Sequence, residues 1–405
     1  MKTNFIIMGC LFFSPLALAG QDTLHYADFI NEMYKESDMI KAKALELESE
    51  LLRAKQTDLY FMPKVSAESK YKSDASRGDI TDSKITASSL IFSTTIVDRF
   101  KEKNSRIHSA ELSLLKEKES LYKSLVENLI GIKYYNNLEV KATKLEQTAI
   151  DLYRQIEGRY LSGIAKASDV EQARLLIQKI KTESESINKE IELLKSNIEL
   201  ATGIAFPERG VNLPDSIINK INGYNINEKE IYNNIDYKLL NEQANAAKFN
   251  AWQQDSLVQV SLVAEERYNN SQRIDKDSWG GIQVSVNLFD YDKKIASQTG
   301  IKSYQVLKTR MDFKYKELLA KMKSLQLTIN SNQKELKGLE EQSRTTEVIL
   351  ANQKREYNIS QSSYYEMLNT QYDYFALERK MVEMKISDAI NKISLLQVSG
   401  ELLSL

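Results

Sequence analysis

Histidine and cysteine, the usual zinc ligands and the residues of imidazole and thiol catalysis, are scarce. The 405-residue chain has two histidines, His25 and His108, and a single cysteine, Cys10. A His/Cys zinc site needs about four ligands brought together and a disulfide needs two cysteines, so both are excluded. No nucleophile, histidine and acid set supports hydrolase chemistry, and His108 stands among lysines and arginines as a surface residue. The expectation is a protein that is not an enzyme, with no cofactor and no metal. Charge excludes another class. Lys+Arg number 55 against 56 Asp+Glu, a net charge of −1, without the basic excess of a nucleic-acid binder.

The elements that would position any site are long helices. With only 4 Pro and 14 Gly, turn-makers and helix-breakers are both rare, which disfavours a loop-rich or many-stranded fold. The first residues read as a secretory leader. Lys2 precedes an apolar run from Phe5 to Leu18, and Ala17-Leu18-Ala19 supplies the small-x-small pattern of a cleavage site after Ala19. Ile7-Met8-Gly9-Cys10 loosely resembles a lipobox, but only about five apolar residues precede Cys10, short of the roughly 7–15 an h-region needs. The rest of the chain has no apolar run of about 18 residues, so any membrane-spanning part must be strands.

Shifted by 197 residues, the sequence meets itself without a gap. Ala67-Glu68 falls on Ala264-Glu265, Tyr71 on Tyr268, Ile85 on Ile282, Tyr160 on Tyr357, Asp169 on Glu366 and Gly203 on Gly400. The chain is two copies of one unit. The expected organisation is a signal peptide at 1–19, a first repeat at 20–203, a linker at 204–234 and a second repeat at 235–405. Within the first, Ala142, Leu145, Ala149, Leu152 and Ile156 form one heptad seam. Ile180, Ile187, Ile191, Leu194 and Ile198 form another.

Each unit also holds a stretch that alternates with period two. Ile282, Val284, Val286 and Leu288 alternate with Gln283, Ser285 and Asn287, and before them Val258, Val260, Leu262 and Ala264 alternate with Gln259 and Ser261. The first unit shows Val65, Ala67 and Tyr71, then Ile85, Ala87 and Ile91, weakened by Ser69 and Ser89. The expected hairpins span about 64–92 and 257–288. Such strands are long enough to cross a bilayer when tilted. Four strands cannot close a barrel in lipid, so either the hairpins are soluble or several chains pool them. The fold class is mainly α with a small β part: long coiled-coil helices plus two amphipathic hairpins per chain.

The ordered motifs resemble those of the TolC-like outer-membrane efflux proteins over about residues 22–405. Ser88-Ser89-Leu90-Ile91-Phe92-Ser93 and Ser285-Val286-Asn287-Leu288-Phe289-Asp290 resemble the S-x-P-L-F-D end of each hairpin, both without the proline. Arg159-Tyr160-Leu161-Ser162-Gly163-Ile164 with Ser168-Asp169-Val170 is similar to the R-Y-x-x-G … s-D-V turn at the helical tip. Its second copy is Tyr357-Asn358-Ile359-Ser360 with Glu366-Met367-Leu368. The resemblance implies a homotrimer with one twelve-stranded barrel in outer-membrane lipid and a periplasmic helical tunnel. It implies an exit duct served by a periplasmic adaptor (membrane fusion) protein and an inner-membrane transporter, passing small molecules or secreted proteins, with no nucleic acid involved. It also implies a periplasmic gate at Tyr357, Asp169, Ser168 and Glu366, although Ser362 stands where the family has an arginine. The docking tips would be Tyr160, Gly163, Ile164, Ile359 and Ser360, and the lipid-facing strand Ile282, Val284, Val286 and Leu288. Asp169 and Glu366 also fit helix-capping positions. The competing class is a periplasmic coiled-coil adaptor, against which the duplicated amphipathic hairpins stand.

Overall fold

The computed structural model describes residues 26–74, 78–254, 257–269, 275–288, 290–358 and 364–405. The leader at 1–19 with Cys10, His25, Phe289, Ile359, Ser360 and Ser362 lie outside them. Helices α1 (Tyr26–Glu36) and α2 (Asp38–Asp58) lead into strands β1 (Lys64–Asp74) and β2 (Gly78–Ser93). Helix α3 (Ile96–Leu161) descends and α4 (Ala167–Thr202) returns. After α5 (Asp215–Gly223) the plan repeats as α6 (Ile235–Gln253), β3 (Val258–Asn269), β4 (Asp275–Val286), α7 (Tyr291–Asn358) and α8 (Tyr364–Ser399). The long helices have 66 and 68 residues, about 100 Å at the ~1.5 Å rise of a helix.

The heptads become seams. Ala142, Ala149 and Ile156 of α3 and Ile180, Ile187, Ile191 and Ile198 of α4 are all buried. A larger core at the middle of the molecule gathers Phe29 and Met33 of α1, Leu125 and Ile130 of α3, Ile217 and Ile221 of α5, Ile393 of α8 and Leu402. The two repeat-closing glycines, Gly203 and Gly400, both adopt φ +73°, a conformation that a Cβ disfavours. At Gly400 a Cβ would also run into the carbonyl of Asn233. Beside that contact, the buried Asn234 side chain accepts the Tyr237 N–H at 3.2 Å, capping α6, and donates to the Gln397 carbonyl at 3.0 Å. The end of the second repeat is thereby bolted to the joint between the repeats.

The sheet is antiparallel in the order β1-β2-β3-β4, so β1 and β4 are its outer strands. Below it α2 packs on α3, α3 on α6 and α6 on α7. The outer helices of that row, α2 and α7, are those joined to the outer strands.

Candidate functional site: strand faces and helical tips

Register decides which side chains share a face. Val258 pairs with Val286, Val260 with Val284, and Leu262 with Ile282, stacking apolar pairs on one side. Ser261 opposite Gln283 and Gln259 opposite Ser285 put polar pairs on the other. Ile282, Val284 and Val286 are all exposed, so their apolar face has no partner within the chain. The polar face is stitched by ions: Arg267 Nε and Nη2 donate to the two Asp82 oxygens at 2.9 and 2.6 Å, and Glu68 meets Lys70 at 2.8 Å and Lys84 at 3.4 Å.

Two expectations for the strands shift. A register slip between Leu90 and Phe92 places Phe92, not Ile91, opposite Val260. A bulge adds one residue to one strand and reverses the parity beyond it. Strand β4 ends at Val286, so Leu288, 90% exposed, lies past the strand rather than on its apolar row, where the sequence placed it.

At the first tip, α3 stops after Leu161 because Gly163 takes φ +75°. Its N–H donates to the Tyr160 carbonyl at 2.9 Å, and the Ile164 N–H reaches back to the Arg159 carbonyl at 2.9 Å, closing the helix with a left-handed residue. Nothing lies within 4 Å of a Cβ built on Gly163, so backbone conformation, not crowding, requires glycine there. The turn leaves Tyr160, Leu161 and Ile164 exposed, Ile164 at 76%, an apolar knob on a polar tip.

Asp169 lies in the first turn of α4 and accepts the Lys166 backbone N–H at 3.2 Å. It acts as a helix cap. Ser168 is exposed beside it. Glu366 is exposed in the first turn of α8, where its charge suits the helix dipole. Next to it Tyr364, Met367 and Leu368 pack on Val170, Ala173 and Ile156, so α8 begins against the other hairpin. Tyr357 is in the last turn of α7, and its side chain lies outside the described residues.

The sequence motifs do not mark a second polar group, further along the helices from the tip. Tyr372 Oη donates to Glu183 Oε1 at 3.3 Å, and Arg379 Nη1 pairs with Glu183 Oε2. Burial disfavours the Arg379 charge, but Glu383 and Glu183 outweigh it and hold the guanidinium above its usual value. Burial raises the Tyr372 phenol, and the Glu183 charge adds to that. The only signal in the sequence is spacing: residues seven apart share a helix face, which places Tyr372 and Arg379 side by side.

Among the described residues no group of three or more His, Cys, Asp or Glu could hold a metal ion, and no helix is long and apolar enough to cross a membrane. The pairing of a strand hairpin with a long helical hairpin, made twice, defines the fold of a set of solved outer-membrane proteins. The chain matches CusC with a TM-score of 0.77 at 13% identity, over 93% of each chain. It matches the outer membrane protein VceC from Vibrio cholerae at 0.76 and 14% identity, over 93% of this chain and 96% of that one. It matches the Campylobacter jejuni CmeC outer membrane channel at 0.73 and 11% identity, over 99% and 94%. No protein-family model and no curated protein matches the sequence.

Proposed function

We propose that three copies of this chain close into one twelve-stranded barrel in the outer membrane, continued by a periplasmic helical tunnel. The assembly is a passive exit duct, taking cargo from an inner-membrane transporter through a periplasmic adaptor. The observation that carries this reading is the sheet: an apolar face without a partner in the chain, a polar face stitched by ions, and two open edges. Open edges are not tolerated in lipid, and joining β4 of one copy to β1 of the next removes them.

The helices support the same joint. Leu45, Leu52 and Leu59 are exposed along α2 and the turn after it, and Val306, Phe313 and Leu327 along α7. Steps of seven or fourteen keep each set on one face, as a coiled-coil seam requires. Because α2 runs into β1 and α7 leaves β4, the strand pairing that closes the barrel would bring these two stripes together. The similarity in fold to outer-membrane channels supports the localisation.

At the far end, the Tyr160, Leu161 and Ile164 knob is the surface offered to the adaptor, with Ile359 and Ser360 as its counterpart in the second repeat. Tyr357, Ser168, Asp169 and Glu366 line the gate, and three symmetry-related Glu366 carboxylates form a cation-attracting ring. The test is bilayer conductance of the detergent-purified protein. Wild type should run as a trimer and form pores blocked by a trivalent cation added at the periplasmic side, and Glu366→Gln should weaken that block. A monodisperse monomer, soluble without detergent, would overturn the duct. Equal block in both proteins would leave Glu366 as a helix cap only.

A further inference from the structure

The short helix α5 forms one wall of a cavity whose other walls come from α3, α7 and α8. Its volume is about 300 Å³, at the small end of the range for small-molecule sites, which often lie between the helices of a bundle. Two polar ties hold α5 there, one near each end. Asp215 in its first turn accepts Lys133 Nζ of α3 at 2.7 Å. Near its other end, Asn222 Oδ1 accepts Lys392 Nζ of α8 at 2.9 Å. Between the ties Ile217 packs into the middle core, while Ile218 and Ile221 line the cavity.

The lining is amphipathic. Ile130 of α3, Leu336 of α7 and Ala389 of α8 join the two isoleucines of α5 in an apolar surface. Against it stand three lysines, Lys133, Lys385 and Lys392, and one acid, Asp388. The three ammonium groups differ in their partners. Lys133 is engaged by Asp215. Lys392 is engaged by Asn222 and, at 2.6 Å, by Asp388, and the side chains of this last pair are only 13% and 14% exposed. Lys385 is half-buried and, among the described residues, has no hydrogen-bond or ion-pair partner. Gln333 and Tyr134 line the same cavity, and their polar ends are likewise unengaged among the described residues.

These features select among ligands. Three lysines against Asp215 and Asp388 leave one positive charge. An inorganic anion would pair with Lys385 but gain nothing from the isoleucines and Leu336. A neutral apolar molecule would cover those side chains but strip water from an unpaired ammonium, which is costly. We propose that the cavity binds a small organic monoanion with an apolar body, an aryl or branched-alkyl carboxylate. Its charged end pairs with Lys385, with Gln333 and Tyr134 as further donors, and its body rests on Ile218, Ile221 and Leu336. Such an occupant touches α3, α5, α7 and α8 at once and so cross-links the linker helix to both repeats. Every wall belongs to one chain, and the site does not depend on closure of the barrel.

The probe is 2-naphthoate, an apolar bicycle with one carboxylate. The control is 2-naphthamide, the same ring without the charge. Both are titrated by equilibrium dialysis against detergent-purified wild type, Lys385→Gln, Lys385→Arg and Leu336→Trp, with protein-free micelles as the blank. Wild type should take up naphthoate saturably at one site per chain. It should bind naphthamide at least about tenfold more weakly, the worth of one hydrogen bond to a charged group. Lys385→Gln should weaken naphthoate by a similar factor and leave naphthamide unchanged, which also shows that the cavity has kept its shape. Lys385→Arg should restore naphthoate, and Leu336→Trp, which fills the cavity, should weaken both. Naphthoate should raise the melting temperature of wild type more than that of Lys385→Gln, because it binds the folded chain. Uptake no greater than the blank, equal affinity for acid and amide, or wild-type naphthoate binding by Lys385→Gln would each overturn the site. Pore formation is measured on the same wild-type sample. Pores without binding overturn the site and leave the duct standing, whereas binding without pores upholds the site and overturns the duct.

Discussion

The two halves of the molecule satisfy their apolar surface in opposite ways. The helical hairpins bury it within one chain: Ile156, Ile180, Ile187 and Ile198 are essentially inaccessible. The strand hairpins leave Ile282, Val284 and Val286 facing outward, and two strand edges open. A helix satisfies its own backbone and needs a partner only for one stripe of side chains. A strand needs a partner for its backbone as well. The buried seams of the helical hairpins can therefore form chain by chain, whereas in the proposed duct the sheet and the exposed stripes of α2 and α7 are finished by other chains and by lipid.

That contrast is broken or sharpened by substitutions on its two sides. The largest effect is expected at Ile187, fully buried against Leu138, Ala142 and Phe375. Ile187→Ala should cost about 2–5 kcal/mol. A thermal melt in detergent should reveal it whether or not the trimer has formed, and a loss confined to the trimer would contradict a self-sufficient helical half.

Next comes Val284→Asp, which should cost less than the about 2–4 kcal/mol of a basic residue at the bilayer midplane. It should reduce outer-membrane assembly with little change in the melt of the helical part. Ser285→Asp, on the opposite face, should assemble normally. Equal assembly of the two variants would refute the division of the strand faces.

The smallest effect concerns an acid inside the helical half. Glu119 of α3 is buried, and burial raises its pKa to about 7, opposed by Gln397, Lys123 and Lys116 and assisted by Asp236. The folded chain then holds a proton that the unfolded chain releases near the ordinary value of 4.5. Stability therefore falls as pH rises from about 4.5 to about 7. Glu119→Gln should flatten that slope and stabilise the chain at pH 8 by roughly 1–3 kcal/mol. Melts recorded at pH 5 and pH 8 measure it, and an unchanged slope would mean the acid is solvated.

Much of this was legible in the sequence where spacing alone carries the physics. The 197-residue offset set Gly203 against Gly400, and both adopt the same left-handed conformation. Most heptad positions of α3 and α4 are buried, with Leu145, Leu152 and Leu194 partly so. Three things were less legible. The slip beside Ile91 depends on the partner strand, because a bulge leaves no mark in the alternation of a single strand. Leu288 continues the period of β4, but nothing in that period says where pairing stops. The polar contact between α4 and α8 joins residues 196 positions apart, Glu183 and Arg379. Heptad logic assigns such charges to the outer faces of helices, and only the placement of α4 beside α8 makes an inner pair of them.

The middle core contains Phe29 and Met33 together with Leu402, residues from nearly opposite ends of the sequence. Gly400 closes on Asn233 just before it. A polypeptide threaded across a membrane starting from its amino end delivers Phe29 first and Leu402 last. Throughout that interval the first helix has its neighbours in α3, α4 and α5 but lacks Ile393 and Leu402, and the joint between the repeats has nothing to close upon. Part of the middle core therefore stays uncovered until the last residues of the chain arrive.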